Sequence, residues 1–490
     1  MRLSKLSLAV VAIIGSGICA EAMALDLYVD AKTKQIFAEP GPGRTKLGSF
    51  EKVEDTVAKK VEADNQTQKA EIDKIKQDLE LKTNELKALD EHIVAQREDK
   101  AKNDEKWFNK INVRGYTQLR YNQALSGDRT AGEPELKSVG DGSIGNNQGF
   151  SLRRVRLVFS GDINEYISLY LQPDFATTNG DLHFAQLRDA YADLAFDKAH
   201  EYRIRAGQSK VPFGWENLQS SQNRLTLDRD DALNSAVPSE RDLGLFAYWS
   251  PSDVQKLWKD LAKKNLKTSG DYGVLGLGVY NGQGINKAEA NDNLYLVAHS
   301  TYPFDLGFMG LRGQVIEVGA DAMSGRFNRS TSAYTSRFGS GTPTARDNSE
   351  DRVGVHAVLF PQPFGLQAEW NWGAGPTLNP SANRIERQNL EGGYVQAMYK
   401  IDNVFGTKGS MMPYVKWQTY DGAWKGVANA PRVNVDEVEA GVEYQINKAL
   451  ELTVAYATMN RTQIQTQTTA AGFLQQASGD LIRTQLQFNY

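Results

Sequence analysis

The sequence of 490 residues has one cysteine, and beyond its first residues it has no apolar run long enough for a membrane-spanning helix. This cysteine, Cys19, lies in the N-terminal segment described next, so we expect no disulfide or thiol chemistry in the rest of the chain. None of the five histidines stands in a metal or nucleophile motif, and no GxSxG sequence occurs. The formal net charge of −4 gives no indication of a nucleic-acid partner. We therefore predict neither an enzyme nor a bound cofactor.

Residues 1–24 are typical of a secretory signal peptide. Two basic residues precede the apolar run 6–14, and Ala22 and Ala24 give the small-x-small pattern of a signal peptidase site. We expect cleavage after Ala24, and the alternative is a buried first strand or helix. Residues 25–50 then form a short segment that ends in a Pro/Gly turn, and the sequence assigns it no function.

Residues 51–106 are rich in Lys, Glu and Asp and contain no glycine or proline, a composition that suits a helix. The spacing of the apolar residues predicts a periplasmic α-helical coiled coil, and isoleucine in both seams is more compatible with a trimer than with a dimer. The alternative is a single solvated helix, which would gain little stability from helix propensity alone. The apolar residues of the two heptad seams are Ile72, Leu79, Leu86 and Ile93, and Val61, Ile75 and Leu89.

From Trp107 to Tyr490 the apolar period changes to two residues, which is the period of a strand. Short turns on one side alternate with long polar loops on the other, as in transmembrane barrels of the bacterial outer membrane. We therefore predict that 107–490 is all-β and forms a 16-stranded antiparallel transmembrane β-barrel, with a soluble β-sandwich as the alternative. The predicted strands are 111–123, 151–163, 165–177, 183–196, 202–212, 243–250, 272–281, 292–302, 307–318, 352–361, 364–373, 392–402, 411–421, 434–446, 450–460 and 480–490.

The strand parity assigns each residue to the lipid face or to the lumen, because a slip by one residue would place carboxylates in hydrocarbon. Charged residues on the inner face imply a water-filled pore. Arginines of the last, first and second strands would form one basic wall, and guanidinium groups can hold phosphate or carboxylate by paired hydrogen bonds. The alternative is that these arginines pair with lumen acids such as Asp174, Glu439 and Glu443. The basic residues predicted to line the lumen are Arg114, Arg120, Arg154, Arg156, Arg203, Arg205, Arg312, Lys400, Lys416 and Arg483.

The loop 213–242 follows the fifth predicted strand on the long-loop side. Folded inward, it would narrow the pore, and an acidic loop opposite a basic wall would create a transverse field. The alternative is an ordinary surface loop. Its charged residues are Glu216, Asp228, Asp230, Asp231, Glu240 and Asp242 against Arg224, Arg229 and Arg241.

Two stretches, "GQSKVPFGWENLQSSQNRLTLDRDDALNSAVPSERDLGLFAYW" and "FSLRRVRLVFSGDI", resemble the phosphate-selective porin O and P family. The likeness covers roughly 107–490, and it implies a homotrimeric outer-membrane channel that prefers anions and has a loop folded into its pore. Lys210, Glu216, Arg241 and Asp242 match the motif positions around that loop. The family's lysine-rich cluster is missing here and the loop is net acidic, so general or weakly anion-selective diffusion is the expectation.

We accordingly expect an outer-membrane porin that passes small hydrophilic solutes and ions, with a preference for anions, phosphate among them. The alternative is a non-selective structural barrel that the coiled coil tethers to the periplasm or the cell wall. The C-terminal "LIRTQLQFNY" reads as the closing strand, and its terminal aromatic resembles the signal recognised by the outer-membrane barrel assembly machinery. The expected partners are thus small anions, outer-membrane lipids, this machinery and two further copies of the chain.

Overall fold

The structure is a computed structural model that describes residues 25–50, 53–104, 106–126, 141, 144, 149–176, 185–328, 330–336, 339–344, 347–464 and 474–490. The predicted signal peptide, 1–24, lies outside these residues. The chain divides into two compact units at Lys102 and Asn103, and each is described by itself.

The first unit contains a small antiparallel sheet with the strand order β2-β1-β3 and one long helix, α1. The guanidinium of Arg44 lies 3.4 Å from the centroid of the Phe37 ring and packs on the sheet. The apolar side chains of the heptad seams are exposed along α1. The helix itself agrees with the sequence pattern, and its association with other chains stays a prediction. The elements are β1 (Leu25–Asp30), β2 (Ile36–Phe37), β3 (Arg44–Phe50) and α1 (Val53–Asp104).

The second unit is a closed antiparallel barrel of sixteen long strands, in which β22 pairs with β4. Within the described part of the chain, no helix is long and apolar enough to cross a membrane. The first eight barrel strands are β4 (Asn112–Ala124), β5 (Gly149–Asn164), β6 (Ile167–Asp174), β7 (Gln186–Ala195), β8 (Tyr202–Lys210), β9 (Arg241–Trp249), β10 (Leu275–Tyr280) and β11 (Tyr295–Asp305). The other eight are β12 (Val315–Asn328), β15 (Asp347–Leu359), β16 (Phe364–Asn379), β17 (Arg384–Tyr399), β19 (Ser410–Ala423), β20 (Arg432–Asn447), β21 (Leu450–Ile464) and β22 (Leu474–Asn489).

Shorter elements occupy the connections. A hairpin follows β12, and the two-residue strand β18 pairs antiparallel with β19. Three 3-10 turns cover Trp107–Lys110, Leu306–Met309 and Val404–Gly406. The remaining elements are β13 (Tyr334–Ser336), β14 (Gly339–Gly341), β18 (Ile401–Asp402), α2 (Trp215–Leu218), α3 (Asp231–Ala236) and α4 (Ser252–Lys263).

The inward and outward faces follow the alternation of the sequence. On β21 the carboxylate of Glu451 is buried inside while Tyr456 is exposed outside, and on β22 Arg483 is buried while Ile482 is exposed. The closing pair places Arg483 opposite Asn122 of β4. Such alternation sets an apolar surface against lipid and a polar one toward the lumen.

The predicted ninth strand, 307–318, is wrong, because the strand there is β12 and begins only at Val315. Gly310 (φ 83°) and Gly313 (φ 78°) adopt left-handed backbone conformations that interrupt a strand and form a turn. Arg312 is therefore exposed in this turn and does not line the lumen.

Two predicted long loops are also shorter than expected. β12 continues to Asn328, inside the loop predicted at 319–351, and β16 and β17 extend until only 380–383 separate them. Lys400 stands outside the long strands, and its Nζ pairs with Asp402 at 2.6 Å.

Candidate functional site

The connection between β8 and β9, residues 211–240, folds into the barrel, and we call it the lumen loop. Nearly all of its residues are buried. Its hydrogen bonds reach strands on different sides of the barrel: Trp215 bonds to β16, the carbonyl of Ser221 accepts from Gln118 of β4, and Asp228 bonds to β22. The loop therefore crosses the lumen.

The start of the lumen loop is held on β12 and β16. The backbone N–H groups of Trp215 and Glu216 donate to the two carboxylate oxygens of Glu369 at 2.7 and 3.0 Å, and Gly214 donates to Asp321 at 3.2 Å. Gly214 has φ 83°, and a Cβ there would lie 2.5 Å from Leu233 and 2.8 Å from Glu369. Only glycine fits this approach, because both the dihedral angle and the space exclude a side chain.

The far end of the loop forms the short helix α3. Its N-cap is Asp230, whose side chain accepts from the N–H of Leu233 at 3.2 Å. Ser235 then bonds to the hydroxyl of Tyr420 on β19 and accepts from Arg352 of β15 at 2.9 Å. Loop and barrel thus share one polar network, which fixes the loop between several strands.

Two arginines of the predicted basic wall contact the same pair of carboxylates. Arg120 lies 2.7 Å from Asp141 and 3.1 Å from Asp228, while Arg483 bonds to Asp228, lies 3.0 Å from Asp141 and 3.2 Å from Glu439. Burial disfavours ionisation, but the two arginines hold the pKa of Asp228 below its ordinary value. These guanidinium groups are neutralised, so they tie the loop to the barrel rather than present free charge.

On β5, the second strand of the barrel, one arginine of the basic wall pairs with a carboxylate and another does not. Arg156 donates from Nε to Asp174 at 2.7 Å and from Nη1 to Tyr116 at 2.9 Å. Arg154 is also buried, but it donates only to the amide oxygen of Gln118, at 2.7 Å. No carboxylate of the described residues forms an ion pair with it, and its Nε has no partner among them.

Two further arginines near this wall lack an ion pair within the described ranges. Arg114 has lumen parity on β4 and is exposed, and no hydrogen bond to it is found there. Arg188 of β7 bonds to the amide oxygen of Gln186 at 3.2 Å and interacts with Asp174 only at longer range. Arg188 was missed in the sequence because a bulge between β6 and β7 moves it off the expected parity.

The remaining predicted lining residues are structural. Arg203 lies 2.8 Å from Asp271, and Arg205 donates two hydrogen bonds, of 2.7 and 2.8 Å, to the carboxylate of Asp193. Lys210 donates to three successive loop carbonyls, those of residues 217–219, at 2.9, 3.3 and 2.6 Å. The lysine that matches the family motif thus fastens the entry of the lumen loop.

The carboxylate of Glu240 contacts three basic side chains in and next to the lumen loop. It lies 3.3 Å from Arg224, 3.1 Å from Arg229 and in contact with Arg241. Burial opposes its charge, yet Lys210, Arg229 and Arg241 hold the pKa of Glu240 well below its usual range. Burial lowers the pKa of Arg229 to about 10 in spite of this carboxylate.

The other loop acids also bind within the barrel. Glu216 accepts from Lys416 at 2.6 Å, and Asp231 lies 2.9 Å from Arg461. Asp242 accepts the N–H of Gly284 at 2.9 Å. Burial raises the pKa of Asp230 well above its ordinary value, and the second oxygen of this carboxylate has no hydrogen-bond partner in the described structure.

A second inward segment was only partly anticipated. The connection 251–274, on the short-turn side, contains α4, whose Trp258 is buried and donates to Glu317 at 2.9 Å. The following turn brings Lys267 across the lumen to Glu443 of β20 at 2.5 Å and Glu451 of β21 at 3.6 Å. The sequence predicted a small helix here, but it gives no signal that Lys267 reaches across the lumen.

A small cavity lies beside the lumen loop. A cavity of about 30 Å³ lies between Asp228, Lys416 and Arg483, which is room for about one water molecule.

Residues 137–490 match the model of a family described as phosphate-selective porin O and P. A comparison with curated proteins finds no match. Similar solved structures include the outer membrane channel DcaP of Acinetobacter baumannii, with 14% identity, a TM-score of 0.46 and coverage of 78% of this chain and 97% of that chain. OmpF of Salmonella typhi in complex with daunomycin has 15% identity, a TM-score of 0.46 and coverage of 78% and 98%. An anion-selective porin from Comamonas acidovorans has 10% identity, a TM-score of 0.44 and coverage of 78% and 99%.

The family match begins between β4 and β5 and runs to residue 490, so it takes in fifteen of the sixteen barrel strands. Because it extends over most of the chain, this protein belongs to the phosphate-selective porin O and P family and is a channel of the bacterial outer membrane.

Proposed function

We propose that this channel lets small hydrophilic solutes and ions diffuse passively, with a weak preference for anions. The observation that carries the proposal is the buried guanidinium of Arg154, which has no carboxylate partner among the described residues. Arg114 on the neighbouring strand β4 and Arg188 on β7, two strands away, also lack ion pairs in the same described part. An uncompensated positive charge beside a low-dielectric wall concentrates anions.

The opposite side of the barrel carries acidic residues instead of basic ones. Glu317, Asp321 and Glu369 are buried on β12 and β16, about half the barrel circumference away from β4 and β5. No Lys or Arg of the described ranges forms an ion pair with them. We therefore propose a transverse field across the lumen, which orients dipolar solutes.

The preference is proposed to be weak because most lumen cations are already neutralised. Arg120, Arg156, Arg205 and Arg483 all have carboxylate partners. An incoming phosphate would have to compete with these fixed carboxylates, so phosphate is proposed as one permeant anion among several.

Bilayer recordings in a KCl gradient test the proposal. Arg154→Gln and Arg188→Gln should each shift the reversal potential toward cation selectivity. Arg312→Gln removes the same charge from the exposed turn after β11 and should leave it unchanged. If Arg154→Gln and Arg312→Gln had the same reversal potential, the proposed anion preference would be contradicted. If the wild type showed no channel steps, the tethered structural barrel would be favoured.

We also propose that α1 associates with the same helix of two further chains in the periplasm. The support is the exposed apolar stripe that includes Ile75, Leu79 and Leu86, which water would otherwise surround. Burying such seams is the usual source of stability for a long charged helix. The resulting homotrimer is consistent with isoleucine in both seams.

A further inference from the structure

Two histidines and three carboxylates meet behind the start of the lumen loop, and none of the preceding roles uses the histidines. The strand register sets His299 opposite Asp321 and His356 opposite Glu369, and Glu317 lies on the same strand as Asp321. All five are buried. Three buried carboxyl groups without a Lys or Arg ion pair in the described structure form a place where a bound cation would be stabilised.

The protonation of His356 follows from its neighbours. Its Nε2 lies 2.9 Å from the hydroxyl of Thr301, and that hydroxyl lies 3.0 Å from the carboxylate of Glu317. Glu317 also accepts from Nε1 of Trp215 and from Nε1 of Trp258, at 2.8 and 2.9 Å. Thr301 has one proton and gives it to Glu317, so Nε2 of His356 must carry a proton and donate to Thr301.

In neutral His356 the other ring nitrogen, Nδ1, then holds a lone pair. This buried atom has no hydrogen-bond partner in the described structure, and it faces Asp321 Oδ2 at 3.6 Å. Two acceptors that face each other without a donor repel, and a cation between them removes the repulsion.

We propose that a divalent transition-metal ion of the Zn²⁺ type binds here, with His356, Asp321 and Glu369 as ligands. Each of the three residues offers a ligand atom, and these atoms lie within 4.8 Å of one another. In the tetrahedral geometry that Zn²⁺ prefers, two ligands at about 2.1 Å lie about 3.4 Å apart, so binding draws the three groups together by up to about 1.4 Å. Imidazole and carboxylate are ligands that Zn²⁺ accepts, and the Thr301–Glu317 relay supplies the outer-shell bond that orients a ligating histidine.

The surroundings connect the ion to the loop. Asp321 and Glu369 also receive the N–H groups of Gly214, Trp215 and Glu216. A Cβ at position 319 would lie 2.4 Å from the His356 ring, so Gly319 leaves the room in which the imidazole stands. The ion would therefore fix the same carboxylates that hold the lumen loop, and binding should stabilise the loop.

The test uses the full-length protein in detergent, stripped with EDTA, incubated with ZnCl₂ and freed of unbound metal by gel filtration. Metal analysis should find about one Zn²⁺ more per chain in the wild type than in His356→Gln, whose amide can still donate to Thr301. His200→Gln, at an exposed turn, is the matched control and should retain the wild-type amount. Faster migration of unheated samples on SDS gels verifies that each barrel is folded.

The same samples give a second readout, tryptic cleavage within the lumen loop. Zn²⁺ should slow this cleavage in the wild type and in His200→Gln but not in His356→Gln. Equal zinc content in the wild type and His356→Gln would overturn the proposal. A wild type that retains no Zn²⁺ would also overturn it, whatever the variants do.

Discussion

Replacing Glu240 by glutamine removes a buried carboxylate that four basic side chains share. Arg224 and Arg229 lie 3.3 and 3.1 Å from it, Arg241 is in contact with it, and Lys210 lies 3.7 Å away. Glutamine has nearly the same shape and can still accept a hydrogen bond, so the change tests charge rather than packing. The cations that remain would repel one another in a site from which water is excluded.

Breaking a buried pair by removing one partner costs about 3–5 kcal/mol. Since each 1.4 kcal/mol is a factor of ten, the population with the lumen loop detached should rise by about two to three and a half orders of magnitude. The barrel itself should survive, because its sixteen strands keep their backbone pairing. The loss should therefore appear locally, as exposure of the loop.

Limited trypsin digestion detects this exposure because the loop contains Arg224 and Arg229, both buried in the closed arrangement. We expect cleavage at these two sites in Glu240→Gln under conditions that leave the wild type uncut there, together with stronger current noise in bilayers. Glu386→Gln removes an equivalent charge from a partly exposed pair with Arg384, 2.8 Å apart, which is worth at most about 1 kcal/mol.

If Glu240→Gln resists trypsin and conducts as quietly as Glu386→Gln, the cluster around Glu240 does not hold the loop. In that case the bonds of the loop to β12 and β16 would suffice to keep it in the lumen.

Three further changes test other parts of the structure. Lys267→Met leaves two carboxylates in the lumen without their cation and should shift permeability toward cations, measured as a reversal potential in a KCl gradient. Asp230→Asn keeps the N-cap bond to Leu233 and removes a carboxyl whose pKa is raised in the folded protein. Such a carboxyl makes the folded protein less stable as the pH rises above the pKa of a free aspartate, about 4. Heat-unfolding curves of the variant should therefore show a smaller loss of stability between about pH 4 and pH 7 than those of the wild type. Leu79→Cys, in a heptad seam, should form disulfide-linked dimers on oxidation while Asn84→Cys on the opposite face should not, and equal cross-linking would contradict the coiled coil.

The barrel could be predicted from the sequence because alternation is a local property. A strand such as β21 shows it directly, with Glu451 inside and Tyr456 outside. The prediction failed where glycines interrupt the pattern, since the stretch before Val315 contains apolar residues that alternate but sit in a turn. Local patterns thus give the faces of strands more reliably than their ends.

The contacts of the lumen loop could not be predicted, because they join residues far apart in the chain. Arg120 and Asp228 are 108 positions apart, and Lys416 and Glu216 are 200 apart. The family resemblance indicated that the loop enters the pore, but the partner of each charge depends on how it lies there.

The histidine cluster was missed for a different reason. His299 and His356 belong to no sequence motif, and a search for motifs passes over them. Their inward parity on nearby strands, together with that of Glu369, would have indicated part of the cluster, whereas Asp321 lay in the loop predicted at 319–351. In a barrel, residues that share a face and a height are neighbours however far apart they lie in the sequence.

The field in the lumen follows from which charges stay unpaired rather than from how many there are. Arg120 and Arg483 belong to the basic wall predicted from the sequence, yet Asp141 and Asp228 cancel them in the structure. Removing either arginine would expose a carboxylate as well as delete a cation, so its effect on selectivity would mix two changes. Arg154 has no such partner in the described structure, and its substitution alters the field by one charge alone. The selectivity of this channel should therefore depend more on Arg154 than on the arginines that a count of residues would choose.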